Sequence, residues 1–266
     1  MTDVEAVVRG YYGRGNLLAP IEAGLMAAGV DPMKPRPQDL YPLDQMHNGG
    51  IVATREHAAR AEIRPGMKVL DLGCGQGGPA RYLAGECGCR VTGLDLTPEF
   101  IELARLLTAR CGLAGEIEFH VGSALALPFA AASFDHVWCH NATMNITDKA
   151  TLAREIARVL KRGGRMSCVE LAQGPAGAPQ FPLPWATDTT SSFLVSPAAM
   201  KATLEAAGLR VIEQLDFAAI VAKHPEQPRR ENAFAEGSDF AVRLRNGRTG
   251  VQEKCLIDQL ILAEKP

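Results

Sequence analysis

From residue 67 onward, short apolar runs alternate with segments whose apolar residues recur every three or four positions. Met67 to Leu72 is such a run; glycines follow it, then a helical pattern from Pro79 to Cys87. Arg90 to Asp95 reads as a second strand, and Thr97-Pro98-Glu99 opens a helix with Phe100, Ile101, Ala104 and Leu107 on one face and Thr97 as its N-cap. Glu116 to Val121 and Phe134 to Cys139 read as the third and fourth strands. Asp148 is placed to cap a helix bearing Leu152, Ile156, Val159 and Leu160, which Lys161-Arg162-Gly163-Gly164 should stop before a fifth strand from Arg165 to Leu171. Pro197 starts another helix, ending at Gly208; Leu209 to Ile212 feeds a sixth strand, and Lys254 to Ala263 is strongly strand-like. Strands separated by helices of about 10–15 residues predict βαβ units and an α/β, doubly wound, Rossmann-like sheet.

Three segments break this rhythm. Residues 1–60 look mainly helical, interrupted by Pro32, Pro35 and Pro37. Residues 172–196 are loop-rich, with Pro175, Pro179, Pro182 and Pro184, and residues 218–250 are polar. The expected organisation is one domain over residues 1–266: an N-terminal cap or lid to residue 60, a ligand-binding core over 61–171, a lid insertion over 172–196, and the remainder of the sheet over 197–266. In doubly wound sheets ligands lie beyond the carboxyl ends of the strands, where the second insertion would close over them.

With 28 basic and 30 acidic side chains in 266 residues, the chain carries no excess positive charge to gather a polyanion, so nucleic acid is not an expected partner. No run of about 18 apolar residues occurs, and no basic stretch precedes an apolar one near the N-terminus; a cytoplasmic protein without a membrane span is expected. The seven cysteines are scattered, and only Cys87 and Cys89 are close, so thiols and no metal site are expected.

The strongest chemical signal is Val69-Leu70-Asp71-Leu72-Gly73-Cys74-Gly75-Gln76-Gly77-Gly78. Gly73, Gly75 and Gly78 satisfy the dinucleotide fingerprint, so this loop alone leaves an NAD(P)-dependent oxidoreductase open. Asp71 stands where a dinucleotide fold carries an apolar residue, and its carboxylate is suited to hold the loop or, through water, a cationic ligand. Asp95, ending the second strand, is placed to accept hydrogen bonds from both hydroxyls of a ribose. No second glycine fingerprint lies in residues 172–266 to hold a nicotinamide half. A catalytically silent cofactor-binding protein is the third reading.

Gly122-Ser123-Ala124-Leu125-Ala126-Leu127-Pro128-Phe129, Ser133-Phe134-Asp135-His136-Val137 and Ile156 to Gly164 follow at fitting spacings. With the glycine loop they resemble the class I S-adenosylmethionine-dependent methyltransferases over roughly residues 64–171. Tyr41 to Gly50, followed by Ala53-Thr54-Arg55, resembles the segment before the core in the small-molecule group of that family: sarcosine/dimethylglycine, phosphoethanolamine and ubiquinone/tocopherol-type methyltransferases. The resemblance implies strand order 3-2-1-4-5-7-6 with the last strand antiparallel. It implies S-adenosyl-L-methionine as cofactor, with S-adenosyl-L-homocysteine as product. Gly73, Gly75 and Gly77 would approach the methionine part, Asp95 the ribose, and Ser123, Ala124 and Leu125 the adenine, with Leu96 as an apolar wall. Many relatives carry Asp where Ser123 stands; a Ser hydroxyl accepts more weakly. Gln45, His47 and Gly50 would lie near the cofactor carboxylate.

His140 ends the fourth strand and is the first candidate base, since imidazole titrates near working pH; His47 is the second. His136, within the strand, reads as core. Asn141, Met144, Asn145, Phe181 and Trp185 are the candidate acceptor-binding residues, and Tyr11 and Tyr12 could extend that wall. Residues 172–200 hold one charged side chain, Asp188, and no basic one, which points to a largely uncharged pocket for a neutral or apolar small molecule, or for a cation held on aromatic faces. The acceptor atom (N, O or C) stays open, and a homodimer is a candidate assembly.

Overall fold

The computed structural model describes residues 3–13, 17–224 and 238–266. The N-terminal segment forms α1 (Asp3–Tyr12), α2 (Leu18–Ala27), α3 (Pro37–Asp44) and α4 (Gly50–Arg60). The alternating part follows as β1 (Lys68–Leu72), α5 (Gly78–Gly85), β2 (Arg90–Asp95), α6 (Pro98–Arg110), β3 (Ile117–Val121), β4 (Phe134–His140), α7 (Lys149–Val159) and β5 (Leu160–Gln173). It ends with α8 (Pro197–Ala206), β6 (Arg210–Asp216), α9 (Ala218–Val221), α10 (Asp239–Gln252) and β7 (Leu256–Glu264). The centre of the expected 218–250 insertion, residues 225–237, lies outside the described residues.

The strands form a seven-stranded sheet in the order β3-β2-β1-β4-β5-β7-β6. β1 is parallel to β2 and β4, and β4 to β5, whereas β7 runs antiparallel to both β5 and β6. Successive side chains on a strand point to opposite faces, so β1 feeds two cores. Leu70 and Leu72 join Val137, Ile156, Met200 and Ile261 on one face. Val69 joins Leu83, Val91, Ile101, Phe119 and Trp138 on the other.

Local chemistry sets several boundaries. Asp148 caps α7 by accepting from the Thr151 N–H at 2.8 Å, as expected. Thr97 occupies the N-cap position of α6 without making the side-chain cap bond; its own N–H goes to Asp95 Oδ1 at 2.9 Å. Lys161 to Gly164 do not separate α7 from the next strand but belong to β5, which starts at Leu160 opposite Phe134. β4 pairs with the flanking Leu160 and Arg165, and between them the backbone finds Lys265, whose O accepts from the Gly163 N–H at 2.7 Å and whose N–H donates to Gly164 O at 2.9 Å.

The 1–60 segment is not one cover. Val52, Ala53, Thr54, His57 and Ala58 of α4 are buried, and Ala53 packs with Val169, Phe217 and Leu260. Residues 174–196 contain no helix beyond a single turn, yet they are tied down: Lys149 Nζ donates to Thr143 O and Phe193 O at 2.7 and 2.9 Å, and also to Ile146 O.

Candidate active site

The carboxyl ends of β1 to β4 open on a cavity of about 760 Å³, within the range of about 300–1,000 Å³ usual for small-molecule sites. Gly73 has φ +78°, and a Cβ on it would lie 2.3 Å from the Ala142 Cβ, so the loop after β1 abuts the loop after β4. A Cβ on Gly75 would meet no atom within 4 Å, which leaves bare backbone on this cavity-lining residue. The Gly75 N–H donates to Asp95 Oδ2 at 2.9 Å, so the acid that ends β2 also fixes the loop after β1. With one backbone donor on each Asp95 oxygen, lone pairs remain for a diol.

Asp71 lies beneath the loop, does not line the cavity, and has no hydrogen-bond partner for Oδ2. Burial, reinforced by the Asp95 charge, pushes its carboxyl up to about 8. Gln76 Oε1 and Asn141 Oδ1 are two further buried acceptors without a partner in the protein. Asn141 itself has φ +53°, a left-handed conformation that a non-glycine residue adopts at some cost.

His140 and His47 line the same wall with rings stacked at 3.6 Å and 19°. His47 is held by three contacts: Gln45 Oε1 at 3.2 Å, Thr54 Oγ1 at 3.0 Å and Asn48 O at 3.1 Å. His140 differs, since neither ring nitrogen has a partner in the protein. Burial, then the neighbouring His47 and His57, hold its pKa well below the ordinary imidazole value. His136 is core, as read: its Nε2 lies 2.8 Å from Ser167 Oγ, which also bonds His57 Nε2 at 2.7 Å.

The far wall is assembled from four separate segments. Tyr12 of α1 donates to Asn145 Oδ1 at 3.1 Å, and Asn145 Nδ2 donates to Trp185 O and Ser191 O at 3.2 and 2.7 Å. Tyr11 donates to Pro184 O at 3.0 Å. Arg243 of α10 donates to Tyr11 OH and Leu183 O at 3.0 Å and to Asp239 at 2.6 Å, with its guanidinium 5.3 Å from the Tyr11 ring centre.

Of the residues anticipated for the site, His47, Gly73, Gly75, Asp95, Leu96, Ser123, Ala124, Leu125, His140, Asn141, Met144, Asn145 and Trp185 line the cavity. Four others do not. Gln45 is buried behind His47, with its amide between Asp44 and Thr54. Gly50 starts α4 behind the turn, and Gly77 is where a Cβ would strike Arg81 and Phe119. Phe181 packs into the cluster around Leu183 and Trp185. Ser123 is also used differently: its hydroxyl donates to Glu5 of α1 and accepts from the Leu125 N–H at 3.0 Å. The sequence reading missed Glu5, Phe100, Asp239, Phe240 and Arg243 as lining residues. The expectation of a pocket wall without basic side chains fails at Arg243, which a distant helix supplies; only the Asp239–Arg243 spacing, one helical turn, hinted at a paired charge there.

A dinucleotide-binding sheet runs 3-2-1-4-5-6; here an antiparallel β7 is inserted between β5 and β6, which removes the oxidoreductase reading's architecture. Residues 70–168 match the family model described as a methyltransferase domain. The methyltransferase GfsG of Streptomyces halstedii is 34% identical over 129 residues, 48% of this chain and 46% of that protein. The O-methyltransferase cnsE of Penicillium expansum is 32% identical over 164 residues, 62% of this chain and 59% of that protein. The chain spans about half the length or less of the first curated relatives it matches. In fold it is similar to the geranyl diphosphate C-methyltransferase of Streptomyces coelicolor A3(2), with TM-score 0.70 and 18% identity over 100% of this chain and 98% of that one. Among the described residues no helix is long and apolar enough to cross a membrane. The match over residues 70–168 covers the strands that frame the cavity, and this part of the chain is similar to methyltransferase domains.

Proposed function

We propose that this chain methylates a neutral, largely apolar small molecule bearing a hydroxyl group, with His140 receiving the hydroxyl proton. The residues fit the family's cofactor. Bare backbone at Gly75 and the accepting oxygens of Asp95 suit a nucleoside, and the cavity-lining acceptors Gln76 Oε1 and Asn141 Oδ1, unpartnered among the described residues, suit a cationic amino-acid part. When bound, that cofactor would supply a methyl group activated by its sulfonium, which the acceptor oxygen would take in line as the neutral thioether leaves.

What the protein then has to supply is orientation, exclusion of water and a place for one proton. His140 provides the last. The observation that carries the reading is that both its nitrogens lack a partner among the described residues and that the residue lines the cavity. Its depressed pKa keeps it neutral and therefore accepting at pH 7. A hydroxyl that has begun to bond a methyl group is far more acidic than an imidazolium, so a weak base suffices. His47, held by Gln45 and Thr54, fixes the plane of the His140 ring by stacking on it.

The acceptor's charge is argued from Arg243. Among the described residues it is the one Lys or Arg on the cavity wall, and Asp239 already neutralises it, so a phosphate group finds little to bind. The same guanidinium already covers a face of the Tyr11 ring, which is then not free to hold a cationic acceptor. A panel of phenols, alcohols, amines and phosphomonoesters, incubated with methyl-labelled S-adenosylmethionine, tests the reading. Label should enter hydroxyl compounds; transfer confined to amines or phosphate esters would refute it.

A further inference from the structure

We infer that Glu5 of α1 recognises the adenine 6-amino group of the cofactor, with Ser123 as its positioning residue. The inference rests on the proposal above that an adenine nucleoside occupies this cavity. With the ribose at Asp95, the base extends between Leu96 and the loop Gly122–Leu125, where this chain has Ser123. Ser123 is the weaker acceptor of the two, a neutral hydroxyl beside a carboxylate. One lone pair of its hydroxyl receives the Leu125 N–H at 3.0 Å, and its proton is given to Glu5 Oε1. The strong acceptor at this end of the cavity is therefore the Glu5 carboxylate, which lines it from 118 residues away in sequence.

A carboxylate discriminates between bases. An amino group donates to it, whereas a 6-oxo group would present one acceptor to another and leave both unsatisfied. The placement also has a consequence for order of events. α1 carries Tyr11 and Tyr12, which bond Pro184 and Asn145, so the helix that reads the base is the helix that clasps the acceptor wall. Adenine binding and closure of that wall are thereby coupled.

Calorimetric titration of the full chain with S-adenosylhomocysteine and with S-inosylhomocysteine, its 6-oxo counterpart, tests the inference. The wild type should favour the adenine form by roughly tenfold or more. Glu5→Gln should weaken the adenine form and bring the two affinities within about threefold of each other. Ser123→Ala should move the ratio in the same direction by less. Asp95→Ala should weaken both forms alike and leave the ratio unchanged. If Glu5→Gln keeps both the wild-type affinity and the wild-type ratio, the inference is wrong while the cofactor reading stands. If the wild type binds neither nucleoside, the cofactor reading fails and the inference with it.

Discussion

Arg81 on α5 and Asp44 at the end of α3 form an ion pair whose two side chains are wholly inaccessible to solvent. The guanidinium donates to Asp44 Oδ2 at 2.8 Å, to Gln76 O at 2.7 Å and to Thr108 Oγ1 at 3.0 Å, so one side chain joins the N-terminal segment, the glycine loop and α6. At Gly78, a Cβ would lie 2.4 Å from Asp44 O, which shows how closely α3 approaches the start of α5. A buried charge left without its partner is costly, so Arg81→Met should destabilise the fold by about 3–5 kcal/mol in urea unfolding. The double variant Arg81→Met/Asp44→Leu should lose clearly less than the two single losses added together.

Asp71 makes stability depend on pH in a defined direction. In the unfolded chain its carboxyl ionises near pH 4; in the folded protein it holds its proton to about 8. The native state therefore binds the extra proton across that window, and stability falls as pH rises from about 4 to 8. Asp71→Asn removes this contribution. Its melting temperature should match the wild type near pH 4 and exceed it by roughly ten degrees or more near pH 8, at about 1.4 kcal/mol per pH unit and about 2–4 °C per kcal/mol for a domain of this size. Glu170 and Asp258, also pushed up to about 7 by burial, are common to both proteins and cancel in the difference. A difference independent of pH would contradict the burial argument.

For catalysis, His140→Leu should leave S-adenosylhomocysteine affinity within about threefold and lower kcat by roughly 10²–10⁴. Because burial and the adjacent imidazoles hold His140 far below 6.5, it stays neutral from pH 6 to 8, and the wild-type rate should show no limb near pH 6.5 from this group. An inflection there that disappears in His140→Leu would show that the site solvates the ring.

Much of this arrangement was legible before the structure because it is local. The run into Gly73, Asp95 at a strand end, and Asp148 ahead of a helix are each decided within a few residues. The rest depends on distant partners. Arg243 reaches Tyr11 across 232 positions and Glu5 reaches Ser123 across 118, and neither short helix segment announces its target. The Lys161–Gly164 stretch carries a genuine stop pattern for α7, yet Lys265 supplies its hydrogen bonds, with β4 pairing the residues on either side, and it runs on as strand. Gln45 was expected to face a ligand; it instead orients His47, a role invisible without the contact at 3.2 Å.

The cover is likewise narrower than the 1–60 segment. Arg243 bonds both Tyr11 and Leu183, so Arg243→Ala should loosen α1 and residues 183–195 together. Hydrogen exchange should rise in those two segments and stay unchanged across Gly50–Arg60, whose apolar face is in the core. Equal acceleration in α4 would mean that the N-terminal segment opens as one body.

The central claim is that this cavity holds the adenosyl cofactor of a methyl-transfer reaction, and ligand-induced stabilisation tests it most directly. Melting temperatures measured with S-adenosylhomocysteine and, separately, with NAD compare the two occupants that a glycine loop of this type admits. At 100 times its dissociation constant a ligand adds ~2.7 kcal/mol to stability, and Asp95→Ala should remove most of the shift. The account predicts a rise with S-adenosylhomocysteine, none with NAD, and loss of the rise in Asp95→Ala. A rise with NAD and none with S-adenosylhomocysteine would contradict it.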